Sequence, residues 1–149
     1  MPIGDFCVRD VVTANRETTV RQAAVLMREN HVGDVLIVDQ ARGNRVPVGI
    51  VTDRDIVVAV VALNLDPGVI AAGDIMGQEI ETVQEDEGIF ETIHQMRSAG
   101  VRRIPVVNQN GSLVGIVSLD DLIQLFAEEM GEVAKLISRE QRRETRVRR

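Results

Sequence analysis

The sequence predicts an α+β protein, with an α/β-like order of elements, made of two β-α-β-β-α repeats and a C-terminal helix. The repeats are expected to pack sheet to sheet about a pseudo-twofold axis. Three observations predict this fold. The 149-residue chain matches itself at an offset of 69 residues, which becomes 66 after a shorter turn in the second copy. Each copy alternates amphipathic helical segments with short runs of branched apolar residues, which are typical of buried strands. Each copy has only about 50 residues, too few to be stable alone, so the two must share a core.

The internal repeat is visible when the sequence is shifted by 69 residues. Asp5-Phe6-Cys7 then falls on Asp74-Ile75-Met76, and residues 19–28 fall on residues 88–97. The second copy lacks three residues of a turn, so the offset becomes 66 further along the chain. We therefore divide the chain into repeat 1 with its N-terminal segment (1–63), a connector (64–73), repeat 2 (74–126), and a helical extension with an arginine-rich tail (127–149).

The elements follow in the same order in both copies. A short strand at 11–13 or 80–83 leads to an amphipathic helix, and runs at 35–38 and 104–107 indicate buried strands. A polar turn, which in repeat 2 contains the hairpin pair Asn110-Gly111, precedes a strand at 46–51 or 113–117. A second helix is predicted to begin near Asp53 or Leu119. Helical spacing predicts the buried face of the first helix of each copy: Val20, Ala23, Ala24, Met27 and Ile89, Phe90, Ile93, Met96.

The composition disfavours several classes of protein. Apolar residues make up 44% and charged residues 27% of the chain, which fits a globular domain. No run approaches the roughly 20 apolar residues of a membrane span, and no signal-peptide pattern follows Met1. We therefore expect a cytoplasmic protein without membrane contact. Three phenylalanines, no tyrosine, no tryptophan and a net charge of −6 disfavour nucleic acid as a partner, which leaves only the arginine-rich residues 138–149 as a basis for the alternative of nucleic-acid binding.

The sequence carries no pattern that predicts catalysis or a metal site. His31 and His94 fall in different parts of the repeat, and Cys7, aligned with Met76, is interpreted as a small apolar residue. No Cys/His cluster has metal-ligand spacing, and no glycine pattern of a phosphate loop or a nucleophile elbow occurs. We predict a protein that is not an enzyme and that has no metal and no catalytic cofactor.

The most specific motif is Gly49-Ile50-Val51-Thr52-Asp53-Arg54-Asp55, which returns as residues 115–121. A Ser or Thr followed three residues later by an acid forms a capping box at a helix start, which needs no ligand. The same carboxylate can accept hydrogen bonds from both hydroxyls of a cis-diol, and a helix N-terminus favours phosphate. Both roles are open for Asp55 and Asp121, and they can coexist.

The motif, found twice in register after matching strands and helices, resembles that of the CBS domain pair, also called a Bateman module. The resemblance covers about 120 of the 149 residues. Within the family, the chain is similar to short stand-alone bacterial proteins made of one pair. It implies a non-catalytic regulatory module, often a homodimer, that binds an adenine nucleotide such as AMP, ADP, ATP or NAD, and sometimes S-adenosylmethionine. In this family the Ser or Thr contacts ribose or phosphate, the Asp holds the ribose hydroxyls, and each site is built across the two repeats.

The resemblance implies two unequal nucleotide sites. In the nucleotide-sensing subunits of AMP-activated kinase, which this module resembles, basic residues just before the middle strand contact phosphates. Arg102 and Arg103 occupy those places in repeat 2, whereas Gly33 and Asp34 occupy them in repeat 1. The alternative for the arginines is a solvated strand edge or an ion pair with a neighbouring acid. The stronger site is predicted to comprise Thr52, Arg54, Asp55, Thr82, Arg102 and Arg103. The weaker site is predicted to comprise Thr13, Asp34, Ser118 and Asp121.

The C-terminal extension carries an apolar stripe at helical spacing. Its residues must be buried either against the chain's own repeats or against a twin, and the resemblance favours a homodimer: Ile123, Phe126, Met130, Val133, Ile137. Residues 138–149 carry a net +4, which leaves −10 on the rest of the chain. This basic tail is either solvated or in contact with an acidic surface.

Any signal must pass to an unknown effector protein. The alternative function is a ligand-independent oligomerisation or interaction module with degenerate sites.

Overall fold

The computed structural model describes residues 1–77 and 79–148, so that Gln78 of repeat 2 and Arg149 of the tail lie outside the described residues. Each repeat contributes one three-stranded sheet. Repeat 1 contains β1 (Thr13–Ala14), α1 (Val20–Asn30), β2 (Asp34–Ala41), β3 (Asn44–Thr52) and α2 (Asp53–Ile56), which continues as a π-helical turn (Val57–Val61). Repeat 2 contains β4 (Val83–Gln84), α4 (Ile89–Ala99), β5 (Arg103–Val107), β6 (Leu113–Ser118) and α5 (Leu119–Val147). A short helix, α3 (Ala72–Ile75), stands between them.

The two sheets have the same topology and confirm the predicted fold. In each, the middle strand pairs parallel with the short first strand and antiparallel with the third, giving the orders β1-β2-β3 and β4-β5-β6. The sheets meet through β3 and β6. The first strands lie at 13–14 and 83–84 rather than at 11–13 and 80–83. In repeat 1, Val11 and Val12 line a cavity between the sheets, and the ladder with β2 consists of Thr13 and Ala14, next to a hydrogen bond from Leu36 N to the carbonyl of Val12 at 3.0 Å.

Capping residues at both ends determine where the first helix of each repeat begins and ends. Thr19 and Gln22 form a reciprocal capping box at the start of α1, and Gly88 stands at the equivalent N-cap of α4. Both helices end on a left-handed residue, His31 (φ 53°) in α1 and Gly100 (φ 67°) in α4. His31 is therefore the C-cap of α1. Two predicted core residues face outward instead: Ala24 and Phe90 are exposed.

The segment that precedes each repeat packs into the core of the other. Ile3 is fully buried among Val83, Ile89 and other core residues of repeat 2, although its position in the chain assigns it to repeat 1. Ala72, just before repeat 2, is buried in the core of repeat 1. Equivalent backbone hydrogen bonds fix both segments, from Ile3 N to the carbonyl of Glu87 at 2.7 Å and from Ala72 N to that of Thr18 at 2.7 Å. The two halves are therefore interlocked through their cores.

Glycines at equivalent positions make the interlocking possible. At Gly115 of β6, an added Cβ would lie 2.6 Å from the carbonyl oxygen of Val8 and 2.6 Å from Sγ of Cys7. At Gly49 of β3 it would collide with the side chain of Met76, the residue aligned with Cys7. The thiol of Cys7 is partly enclosed by this packing, and burial raises its pKa. A raised pKa lowers the thiolate fraction and fits the structural role predicted for Cys7.

Gly115→Ala should destabilise the fold more than Gly49→Ala. The new methyl group at 115 meets backbone of the exchanged segment, whereas at 49 it meets the flexible side chain of Met76. We expect Gly115→Ala to lower the free energy of unfolding by about 1–3 kcal/mol, as measured by urea denaturation. Gly131→Ala is the matched control, because a Cβ there meets nothing within 4 Å. Equal losses at 49 and 115 would contradict the prediction.

Candidate binding site between the two repeats

Both predicted motifs form reciprocal capping boxes. Thr52 N donates to Oδ2 of Asp55 at 2.8 Å, and Asp55 N donates to Oγ1 of Thr52 at 3.1 Å. The Ser118 and Asp121 pair makes the same two bonds, at 3.0 and 3.1 Å. Within the described part of the chain, Oδ1 of neither carboxylate accepts a hydrogen bond. Each aspartate therefore caps its helix with Oδ2, while its Oδ1 has no hydrogen bond to the described residues.

Two cavities lie between the sheets. The Asp121 cavity has a volume of about 190 Å³, and the Ile80 cavity about 340 Å³. Ile50 and Arg103 line both. The other residues of the Asp121 cavity are Val8, Asp10, Val11, Val12, Val32, Asp34, Leu36, Ile116, Ser118 and Asp121. The other residues of the Ile80 cavity are Gly49, Gly77, Glu79, Ile80, Glu81, Ala99 and Val101.

The two cavities are copies of one another under the internal repeat. At the offset of 69, Asp10 corresponds to Glu79, Val11 to Ile80 and Val32 to Val101. Their third strands contribute Ile116 to one cavity and Ile50 to the other, which correspond at the offset of 66. The duplication has therefore produced two candidate sites, which differ by substitutions and by placement, since Ser118 and Asp121 line one cavity whereas their equivalents Thr52 and Asp55 are not among the described lining residues of the other.

The most informative substitution lies at the start of the middle strands. Asp34 begins β2 and Arg103 begins β5, at equivalent positions of the repeat. Nε of Arg103 lies 2.7 Å from Oδ2 of Asp34, so the two residues form an ion pair across the pseudo-twofold axis. Their side chains are 38% and 20% exposed, respectively. The sequence predicts Arg103 and Asp34 in separate sites, but the structure pairs them, which corresponds to the alternative of an ion pair with a neighbouring acid.

The environment of Asp34 disfavours the ionised form of its side chain. Oδ2 is buried and has no hydrogen bond of good geometry among the described residues, in spite of its short contact with Arg103. Burial raises the pKa of Asp34, the charge of Arg103 opposes this effect, and the nearby carboxylate of Asp53 adds to it. The guanidinium of Arg103 thus compensates only part of the desolvation of its partner.

The remaining predicted residues are divided between cavity walls and other positions. The structure brings Asp34, Ser118 and Asp121 together, with Arg103, in the Asp121 cavity. Thr13 instead pairs with Leu36 in the sheet. Among the described residues, the lining of the Ile80 cavity does not include Thr52, Arg54, Asp55, Thr82 or Arg102. Arg54 and Arg102 are exposed.

Sequence reasoning missed several wall residues. Asp10 and Ile116 line the Asp121 cavity but were not predicted. Alternation along a strand could have identified Ile116, because it lies two residues before Ser118 and shares its face. For Asp10 the only signal was its alignment with Glu79, another acid.

Arg103→Gln should destabilise the protein more than Asp34→Asn at neutral pH. Loss of the guanidinium leaves a mostly buried carboxylate without its counter-charge, at a cost of about 1–3 kcal/mol. Loss of the carboxylate leaves a guanidinium that is 38% exposed and can be hydrated. Urea denaturation of the two variants and the wild type provides the measurement. A larger loss for Asp34→Asn would be inconsistent with this account.

The same pair predicts a pH dependence with a definite sign. Because the pKa of Asp34 is raised above its ordinary value of 3.8, the folded state binds this proton more tightly than the unfolded state. Its contribution to stability is complete below the unfolded pKa and is lost as pH rises through the folded pKa. Asp34→Asn should remove this loss, and Arg103→Gln should enlarge it. Unfolding measured across that range tests this, and identical pH profiles for wild type and Asp34→Asn would contradict it.

No helix in the described ranges combines the length and the apolar character that a membrane crossing requires. A sequence profile of the CBS domain matches residues 3–62 and 72–128. An uncharacterised protein of Methanopyrus kandleri is 39% identical over 123 residues, which make up 83% of this chain and 61% of that protein. The chain thus spans less than two thirds of that relative.

Solved structures show the same similarity. A CBS domain protein of Pyrobaculum aerophilum, complexed with AMP, is 33% identical over 82% of this chain and 90% of its own, with a TM-score of 0.71. The CBS domain pair of protein MJ0100, in complex with 5′-methylthioadenosine and S-adenosyl-L-methionine, is 27% identical over 85% of this chain and 99% of its own, with a TM-score of 0.72. With two matched domains that cover most of its length, the chain belongs to the CBS domain family, as a protein built on one CBS pair.

Proposed function

We propose that this CBS pair is a cytoplasmic, non-catalytic regulatory module that binds an adenosine-containing ligand between its repeats. It acts as a homodimer and passes its signal to a separate effector protein. One observation carries the proposal: Ser118 and Asp121 of repeat 2 line a cavity together with Asp34 of repeat 1 and the shared Arg103. The AMP complex of the P. aerophilum protein and the adenosine-derivative complexes of MJ0100 support it.

The Asp121 cavity offers two kinds of contact that adenosine requires. Oδ1 of Asp121 can accept hydrogen bonds from the ribose hydroxyls, while Oδ2 continues to cap helix α5. Branched side chains that suit a planar purine come from both repeats, among them Val11, Val32 and Ile116. Binding would therefore bridge the repeats.

The charges of the lining residues select among the candidate ligands. Asp10, Asp34 and Asp121 face the Asp121 cavity with Arg103 as its one basic residue in the described lining. Glu79 and Glu81 face the Ile80 cavity with the same arginine. An excess of carboxylates repels a chain of phosphates. We therefore place AMP, or an adenosine derivative without phosphate, ahead of ADP, ATP and NAD.

A phosphate-bearing ligand in either cavity has to bind the same arginine, Arg103. It lines both cavities and is already paired with Asp34. A phosphate must therefore displace Asp34 from the guanidinium, and two phosphates compete for one arginine. We infer that one chain binds one molecule of AMP strongly, whereas an uncharged nucleoside depends little on Arg103.

Calorimetric titration with 5′-methylthioadenosine, S-adenosylmethionine, AMP and ATP tests the proposal, because the chain has no tryptophan or tyrosine for fluorescence. A ligand specific for the native state, present at 100 times its Kd, should also add about 2.7 kcal/mol of stability. Asp121→Ala should weaken binding of every adenosine ligand. No heat and no stabilisation with any of these compounds would overturn the proposal.

Two variants isolate the role of the ion pair. Asp34→Asn should tighten AMP about tenfold, because it releases a guanidinium for a charge-assisted hydrogen bond, and should leave 5′-methylthioadenosine nearly unchanged. Arg103→Gln should weaken AMP selectively. Arg42→Gln is the matched control, since Arg42 is an exposed arginine in the turn between β2 and β3. Equal effects on AMP and on 5′-methylthioadenosine would exclude the assigned role of Arg103.

A ligand-independent interaction module is the second candidate. The small volume of the Asp121 cavity, about 190 Å³, favours it, because ligand pockets usually exceed about 300 Å³. The Arg103–Asp34 pair would then serve only to join the repeats. In this case Arg103→Gln would change stability and no adenosine compound would bind.

A further inference from the structure

Helix α5 extends far beyond the repeat that it completes. It contains 29 residues and therefore spans about 44 Å at 1.5 Å per residue. From Phe126 onward, every described residue of the helix is exposed. A single helix that projects into water is marginally stable unless one of its faces is packed. The helix does not fold back over the chain's own sheets, so any partner of its second half must be another molecule.

The exposed face carries a regular apolar stripe. Its residues are separated alternately by four and three positions, and between 36% and 67% of each is exposed: Leu119, Ile123, Phe126, Met130, Val133, Ile137. This spacing gives a period of seven residues, which is the pattern of two helices that wind around each other. The stripe therefore fits a second helix of the same type.

The distribution of charge along α5 indicates the orientation of that second helix. Residues 119–132 contain five acidic and no basic residues, whereas residues 133–148 contain six basic and two acidic residues. A parallel pair would place like charges side by side along both halves. An antiparallel pair in which Phe126 lies against Met130 separates the two arginine-rich ends and sets Asp121 of one helix beside Lys135 of the other. Although the two Glu128 residues then meet at the centre, as they would in a parallel pair, the electrostatic energy is lower than that of a parallel pair because the six basic residues within 133–148 of each chain no longer lie together.

We propose that α5 pairs antiparallel with α5 of a second copy of this chain. In this register Phe126 lies against Met130 of the second copy, Ile123 against Val133, and Leu119 against Ile137. The residue numbers of every facing pair add up to the same value, as an antiparallel register requires. The arginines beyond residue 138 then reach past the start of the partner helix toward the partner's acidic repeats. The pairing rests on the homodimer of the proposed function, whereas its surface is separate from the cavities and does not depend on ligand binding.

Disulfide trapping tests the orientation directly. On a Cys7→Ala background, oxidation of a mixture of Ile123→Cys and Val133→Cys chains should yield crosslinked dimers of the two variants. Ile123→Cys alone should stay uncrosslinked, because positions 123 of an antiparallel pair lie about 15 Å apart along the axis, beyond the roughly 7 Å that a disulfide spans. Efficient crosslinking of Ile123→Cys with itself, without mixed dimers, would overturn the proposal.

A charge placed on the stripe tests whether the surface holds the dimer together. Met130→Glu removes two buried side chains per dimer and should raise the dimer dissociation constant about a hundredfold, as measured by analytical ultracentrifugation. Val147→Glu is the control, since Val147 is apolar and exposed but lies beyond the stripe. Far-UV circular dichroism and urea unfolding verify that the repeats stay folded. A wild-type chain that sediments as a monomer, or a dimer that Met130→Glu leaves intact, would refute the pairing.

Discussion

The fold depends on one constraint: each repeat completes its core with the segment that precedes the other. Ile3 fills the core of repeat 2 and Ala72 that of repeat 1. The exchanged segments run so close to the receiving strands that a side chain at Gly115 would overlap the backbone of Val8. A core of this kind cannot be divided into two independent halves, because removing either repeat takes away part of the other's interior. The facing sheets and the cavities between them follow from this arrangement.

Residues at equivalent positions of the two repeats face each other where they lie close to the pseudo-twofold axis. Positions 34 and 103 are equivalent, so an unchanged duplication would place two identical side chains opposite each other. Two aspartates or two arginines would repel one another in a partly dehydrated space. An aspartate and an arginine attract instead, and their pairing secures the contact between the repeats. The same pairing ends the equivalence of the two cavities and leaves Arg103 as the one guanidinium in their described linings.

The repeating patterns determined how much could be predicted from the sequence. The order of elements, the hairpins and both capping boxes follow from local periodicity and spacing, and these features were found where expected. The position of β1 was wrong by two residues, because a two-residue strand is defined by its partner and has almost no pattern of its own. The exchange of Ile3 and Ala72 carries no periodic signal either. The Arg103–Asp34 contact depends on the packing of the sheets, so alignment identified equivalent positions without revealing that they meet.

The candidate binding site and the exposed helix are physically continuous. Ser118 is the last residue of β6 and the N-cap of α5, and Asp121 holds that cap from within the first turn. A ligand that hydrogen-bonds to Asp121 therefore contacts the first turn of the same helix whose later turns carry the apolar stripe. Because a helix is stiff over a few turns, a small tilt at its start becomes a larger displacement at its far end. A ligand shifts such an arrangement only by the difference between its affinities for the two orientations. Under the proposed function, a phosphate that enters this cavity competes with Asp34 for the guanidinium of Arg103, so the contact between the repeats and the start of α5 would respond to the same ligand.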